Sequence, residues 1–330
     1  MQPRPSGRRA PEWQVWTALL IVYIVWGSTY LAIRVVDETM PPLLAAGLRH
    51  STAGVVLFAI LLITRGRGAL RLSRDEWLGA AFVGFALLLG GNGLVVLGER
   101  DVPSGLSALI IAVVPLFVVV MRRLFGERVA LGTYIGVLGG FIGMALLIVP
   151  HGISGETNVP AMLMLVGASL SWAIGSYFSK RLTLPRDPLA STGAQMIVGG
   201  VSLAVAGTLA GEWGLVQFDK FSTDSVVALA YLIVFGSVLA YTAYTWVLQN
   251  ATVSRVSTYA YVNPVVAIVL GAVILHETID VWIVLGAAVI VASVAIVIRS
   301  EGRRGPTDAP TGAAEASPAA SREVLEATTD

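Results

Sequence analysis

The chain has 330 residues, 55% of them hydrophobic and only 13% charged, where a soluble domain carries about a quarter charged residues. Twenty-two basic residues nearly balance twenty-one acidic ones, leaving a net charge of +1. This composition excludes a soluble globular domain, a disordered chain and a nucleic-acid binder, and the absence of cysteine excludes disulfides and thiolate chemistry.

In chain order, residues 1–15 form a polar cytoplasmic tail with Arg4, Arg8 and Arg9. The apolar run that follows continues to Val36, without the short core and small-residue cleavage site of a signal peptide. It is the first of ten spans, at about 16–36, 43–64, 77–97, 104–124, 130–149, 161–180, 189–210, 225–249, 255–275 and 279–299. Each is long enough for a ~30 Å hydrocarbon layer at 1.5 Å per residue. Residues 150–160 form an external linker between two five-span halves, 16–149 and 161–299. Residues 300–330, rich in Ala, Pro, Thr, Ser and Glu, read as a disordered cytoplasmic tail. With the N-terminus cytoplasmic, eighteen of the twenty-two basic residues fall on the cytoplasmic side and two, Arg100 and Lys220, outside. The positive-inside rule therefore places both termini in the cytoplasm. Arginine outnumbers lysine 20 to 2, the signature of a GC-rich bacterial genome, which makes the bilayer a bacterial cytoplasmic (inner) membrane.

The halves are self-similar. Trp26-Gly-Ser-Thr-Tyr30 reappears as Trp172-Ala-Ile-Gly-Ser-Tyr177 at an offset of 146. The same offset takes Arg34 to Lys180, Pro42 to Pro188 and Arg49 to Gln195. Later Pro115 pairs with Pro264 (149), and Glu127 with Glu277 and Gly136 with Gly286 (150). Five is odd, so the second copy enters the membrane upside down. The expected fold is all-α, ten transmembrane helices as two inverted five-helix repeats, an architecture of secondary transporters with a substrate site near midplane.

Ile24-Val-Trp-Gly-Ser-Thr-Tyr30, Gly93…Val102-Pro-Ser-Gly105, Val114-Pro-Leu-Phe117 and Ser257-Thr-Tyr-Ala-Tyr-Val-Asn-Pro-Val265 resemble EamA-type members of the drug/metabolite transporter superfamily. The resemblance covers residues ~16–299 and excludes both tails. It implies a basket of ten helices whose spans 1, 3, 4, 6, 8 and 9 line a central cavity, with 5 and 10 peripheral. The superfamily moves amino acids, purines, nucleotide sugars and drugs, so the motifs do not name a substrate.

Candidate residues follow from what lipid penalises. Arg49 is the one charge well inside a span, a position that costs roughly 2.5–3.5 kcal/mol on insertion scales. It either positions an anionic group or pairs with Asp37 or Glu38. Asn92 and Asn263 are buried amides that need partners, from other helices or from the cavity. Trp26 and Trp172 lie too deep for an interfacial belt; with Tyr30, Tyr177, Tyr241, Tyr244, Trp246, Tyr259 and Tyr261 they either pack the core or make a candidate cavity wall of amphipathic rings, and Gln195 joins them as the counterpart of Arg49. Pro115 and Pro264 remove a helix hydrogen bond in spans 4 and 9, as hinges or static kinks. Arg34 and Lys180, at helix ends, read as interfacial anchors, and the glycine spacings of span 5 as packing within the chain.

No Asp or Glu falls deep in any span; Glu99, Glu127 and Glu277 sit at helix ends. Obligatory proton antiport through a buried carboxylate is therefore not expected, while coupling through a loop-proximal group remains open. No phosphate-binding loop is present, and His50, His151 and His276 are scattered, so neither ATP hydrolysis, a metal nor a cofactor is implied. The expected function is a secondary carrier, not an enzyme, that exports small amphipathic metabolites, amino acids or related compounds first, by alternating access. Its expected partners are the small-molecule substrate and the lipid bilayer, and no oligomeric state follows. A multidrug-type exporter of aromatic cations would need acidic residues in the cavity. A membrane enzyme or receptor would need a catalytic set at membrane depth, or an external domain larger than the 211–224 loop.

Overall fold

Hydrocarbon offers the backbone no water, so a chain this apolar must close its hydrogen bonds within helices or a sealed barrel. The computed structural model describes residues 11–127, 130–154, 158–251, 256 and 259–302, and these are helical, with no strand among the described residues. Ten helices follow in order: α1 Glu12–Asp37, α2 Pro42–Arg65, α3 Arg74–Gly98, α4 Ser104–Leu124, α5 Leu131–Ser154, α6 Val159–Ser179, α7 Pro188–Leu209, α8 Thr223–Asn250, α9 Tyr259–Ile274 and α10 Val281–Gly302. Seven of them, α1–α4 and α6–α8, are long and apolar enough to cross a membrane. Shorter apolar stretches lie in the other three, at Leu131–Gly143, Val262–Ile274 and Val281–Ser293.

The ends are set by ordinary capping chemistry. Ser73 and Glu76 form a reciprocal capping box at the start of α3. Asn158, Asp187 and Ser222 accept from the backbone N–H groups of Ala161, Leu189 and Ser225 at the starts of α6, α7 and α8. Two boundaries differ from expectation. Helix α1 starts at Glu12, inside the expected tail, and α5 runs through Pro150 to Ser154, so most of the expected linker is helical. Residues 1–10, 303–330 and Arg255 lie outside the described residues.

Small residues decide the packing. Helices α2 and α7 lie against each other along their length, as do α5 and α10. A Cβ on Gly47 would sit 2.7 Å from the backbone nitrogen of Ala204, so the α2 and α7 backbones touch there. In α5, a Cβ on Gly139 would sit 2.6 Å from Ser293 Oγ of α10, so this glycine serves packing within the chain. Around the centre, α1 packs on α8 and α9, α6 packs on α3 and α4, and α4 meets α9.

Three central helices are irregular. Phe85–Gly93 in α3 and Leu232–Tyr241 in α8 are π-helical, a form concentrated at functional sites. Helix α4 is broken between Ile111 and Val114, and Pro115 opens its second segment. Pro264 lies inside a continuous α9. Matched prolines therefore give one break and one continuous helix.

Candidate functional site

Where these irregular stretches meet, the structure encloses a cavity of about 70 Å³. Helices α1, α2, α3, α4, α6, α8 and α9 all line it, and α5 and α10 do not. The lining expected from the family resemblance is thus present, with α2 added through Arg49 and His50.

Arg49 is 4% exposed and makes no ion pair with Asp37 or Glu38 among the described residues. Its Nε donates to Ser237 Oγ at 2.9 Å. Ser237 Oγ lies 3.4 Å from His50 Nδ1, and His50 Nε2 lies 3.2 Å from Asn92 Oδ1. Donation running from Arg49 through Ser237 into Nδ1 leaves the ring proton on Nε2, where the Asn92 oxygen accepts it. Arg49 lines the cavity, and no described side chain accepts from its terminal nitrogens. Glycine at 236 makes room for the group: a Cβ there would stand 2.9 Å from Arg49 Nη2. Both π stretches feed this network, α3 through Asn92 and α8 through Gly236 and Ser237.

Below the arginine lies a cage of rings. Trp26 meets Trp172 edge-on at 5.6 Å, Tyr259 edge-on at 5.7 Å and Tyr244 at 4.8 Å. Trp172 also meets Tyr241 at 6.4 Å. Asn263, turned so that its nitrogen donates to the carbonyls of Tyr23 and Tyr259 at 3.2 Å each, ties α9 to α1 at the cavity edge.

Of the residues expected to form the cavity, Trp26, Tyr30, Arg49, Asn92, Trp172, Tyr241 and Asn263 line it. Three do not. Tyr244 stands behind the cage, against Trp26 and within 3.3 Å of Ser176 Oγ. Gln195 stands behind Tyr241, accepting from its hydroxyl at 2.9 Å. Tyr177 is packed on Phe125 under the Arg181 guanidinium, away from the cavity. Pro115 and Pro264 are also outside the lining, beside Val114 and Asn263. Tyr259, from the wider aromatic set, lines it too, and Thr29, His50 and Gly236 line it without having been expected there. The sequence signal for His50 was its place beside Arg49; for Gly236, no local signal exists.

Polar locks close both ends. At one end, Glu277 accepts from Ser104 N and Oγ (2.8 Å each) and from Gly105 N (3.2 Å), and Glu212 accepts from Leu43 N (3.2 Å) and Leu44 N (2.8 Å). These carboxylates satisfy the orphan N–H groups, and the positive dipole ends, of α4 and α2. Arg34 donates to the carbonyls of Glu99 and, at 3.2 Å, of Arg100. It is thus a tie between α1 and the end of α3 rather than a simple anchor. Glu99 stands at a helix end, as expected, but is fully buried there, and one Asp37 oxygen is buried without a partner among the described residues.

At the other end, Glu127 pairs with Arg122 (2.7 Å) and Arg181 (2.6 Å), and Arg65 pairs with Asp187. Burial alone would raise the Glu127 carboxyl, but Arg122 and Arg181 outweigh it and hold it below the usual range.

This architecture matches known proteins. The sequence pattern of the EamA-like transporter family fits residues 14–149 and again residues 159–299. The inner membrane transporter YedA of Escherichia coli K12 is 40% identical over 275 residues, 82% of this chain and 87% of that protein. Transporter YvbV of Bacillus subtilis is 26% identical over 85% of this chain and 91% of its own length. The WAT1-related chloroplastic protein At3g02690 of Arabidopsis thaliana is 29% identical over 87% and 70%. One crystal structure shares the fold, with a TM-score of 0.62 at 20% identity over 88% of this chain and 98% of its own. With its family pattern matched in both halves and these relatives, the chain belongs to the EamA-like transporter family: it is a multi-pass membrane transporter and not an enzyme.

Proposed function

We propose that this protein exports small amphipathic metabolites, amino acids and related compounds first, across the bacterial inner membrane by alternating access. The observation that carries the reading is the cavity itself: one buried cation with unengaged donors on one side, a cage of rings on the other. A ligand carboxylate meets the Arg49 fork, which suits it in geometry and charge. The apolar part, and an ammonium over a ring face, meet the cage. The rival reading, an exporter of aromatic cations, lacks support, because no carboxylate lines the cavity among the described residues.

In this reading the cavity enlarges toward whichever side opens, as the polar contacts at that end part. Inverted repeats supply a way to do this. The family pattern fits each half separately. Equivalent helices pair with each other, α2 with α7 and α5 with α10, and the packing of α1 on α8 and α9 mirrors that of α6 on α3 and α4. The π stretches fall in equivalent helices, α3 and α8. On the positive-inside count the termini are cytoplasmic, so the Glu99 end faces outward and the Glu127 end inward. Named an inner membrane transporter, YedA supports the location.

Efflux from vesicles loaded with radiolabelled amino acids tests the function. Saturable, protein-dependent efflux is the expected result. Its absence across amino acids, purines and cationic dyes would overturn the reading.

A further inference from the structure

Glu99 stands one residue beyond the end of α3, at the end of the molecule read above as external. Its side chain is 0% exposed, and among the described residues neither carboxylate oxygen has a hydrogen-bond partner. Among the described residues, neither nearby cation donates to this carboxylate. Arg34 donates to backbone carbonyls, including that of Glu99, and Arg49 donates to Ser237. Helix α1 also brings Tyr30 and Asp37 into electrostatic range, and the α9–α10 loop brings Glu277, whose two oxygens are taken by the start of α4. Arg100 and Glu212 act on Asp37 beside it. From α6, Leu165 packs where Gly98 leaves space and offers no charge. A carboxylate enclosed without donors, among other carboxylates, is strongly disfavoured in its ionised form. Burial first, then Asp37 and Glu277, push the Glu99 carboxyl well above the usual range, more than Arg34 and Arg49 pull it down. A crevice lined by Ile33, Asp37, Arg49 and Val96 shares Ile33 and Arg49 with the central cavity, so this end and the substrate space adjoin.

We propose that Glu99 is the proton-binding group of the outer gate: the closed gate holds Glu99 protonated, and opening that end to water releases the proton to the outside. This deepens the alternating-access reading and rests on it. A proton taken up only by the closed form makes acid favour closure and alkali favour opening. The open fraction of a mostly closed gate then changes by up to about 10-fold per pH unit between the ordinary glutamate range and the raised closed-state value.

Because the chain has no cysteine, single-cysteine reporters give a clean test that needs no substrate. Ile33→Cys lines the cavity at this end, and Lys220→Cys, in the α7–α8 loop, normalises for thiol reactivity. Labelling with an impermeant maleimide is followed in right-side-out and everted vesicles. The normalised rate at Ile33→Cys is expected to rise about 10-fold or more from pH 6 to pH 8. In Glu99→Gln it is expected to be slow and independent of pH, because the amide mimics the protonated acid. A flat wild-type profile, or an unchanged slope in Glu99→Gln, overturns the proposal. Where Glu99→Gln fails to fold, Glu99→Asp replaces it: a shifted midpoint supports the assignment, and an unshifted one refutes it. Labelling of Lys220→Cys only in everted vesicles would overturn the orientation, while the slope, read on that side, would still decide the role of Glu99.

Discussion

Arg49 is the residue on which the site turns. An arginine inside a membrane span is costly unless it faces a partner or water, and here, among the described residues, it has one Ser237 hydroxyl and the cavity. A charge-assisted hydrogen bond to a ligand carboxylate contributes roughly 1.5–3 kcal/mol, or about 10–100-fold in affinity. Arg49→Gln is therefore expected to raise KM for carboxylate substrates by about that factor, with Arg49→Lys restoring little because it lacks the planar fork. Gly236→Ala keeps the charge but places a methyl 2.9 Å from Nη2. It is expected to raise KM in the same direction, and wild-type kinetics in both variants would remove the arginine from the binding site. The sequence disclosed Arg49 because a lone charge stands out against an apolar run. It could not disclose that Tyr244, Gln195 and Tyr177 sit behind or away from the cavity. Lipid-facing and protein-facing sides of these helices are both apolar, so periodicity gives no azimuth.

At the level of helices, length and apolarity located the seven helices long enough to cross a membrane, because a ~30 Å layer imposes a minimum run. The irregularities were legible only in part. Pro115 announces the broken α4, since proline cannot donate the missing bond. The π stretches of α3 and α8 carry no proline and no residue type that marks them, yet they shape the network around Arg49. Close contact of α2 and α7 is the element-level support of the cavity. Gly47→Leu forces a side chain where the Ala204 backbone lies 2.7 Å from a bare Cβ. Overpacking of this kind costs about 1–3 kcal/mol. A lowered Tm in detergent is expected, and an unchanged Tm would mean that the helices part without penalty.

For the whole molecule, the decisive quantity is handedness across the membrane. Reporter fusions after α1 and α6, the first helices of the two halves, are expected to report opposite sides: outside after Asp37 and cytoplasmic after Ser179. Reporters on the same side would contradict the inverted repeat and, with it, alternating access by exchange of equivalent conformations. By itself the sequence determined that the chain is a helical membrane protein of two related halves with one charge at depth. Apolar length, charge placement and internal similarity are properties of the chain before it folds. Only the tertiary structure decided which faces converge on the cavity and that Glu99 is buried without a hydrogen-bond partner among the described residues. Those outcomes depend on how apolar helices rotate and approach, which small residues and close packing settle and hydropathy does not.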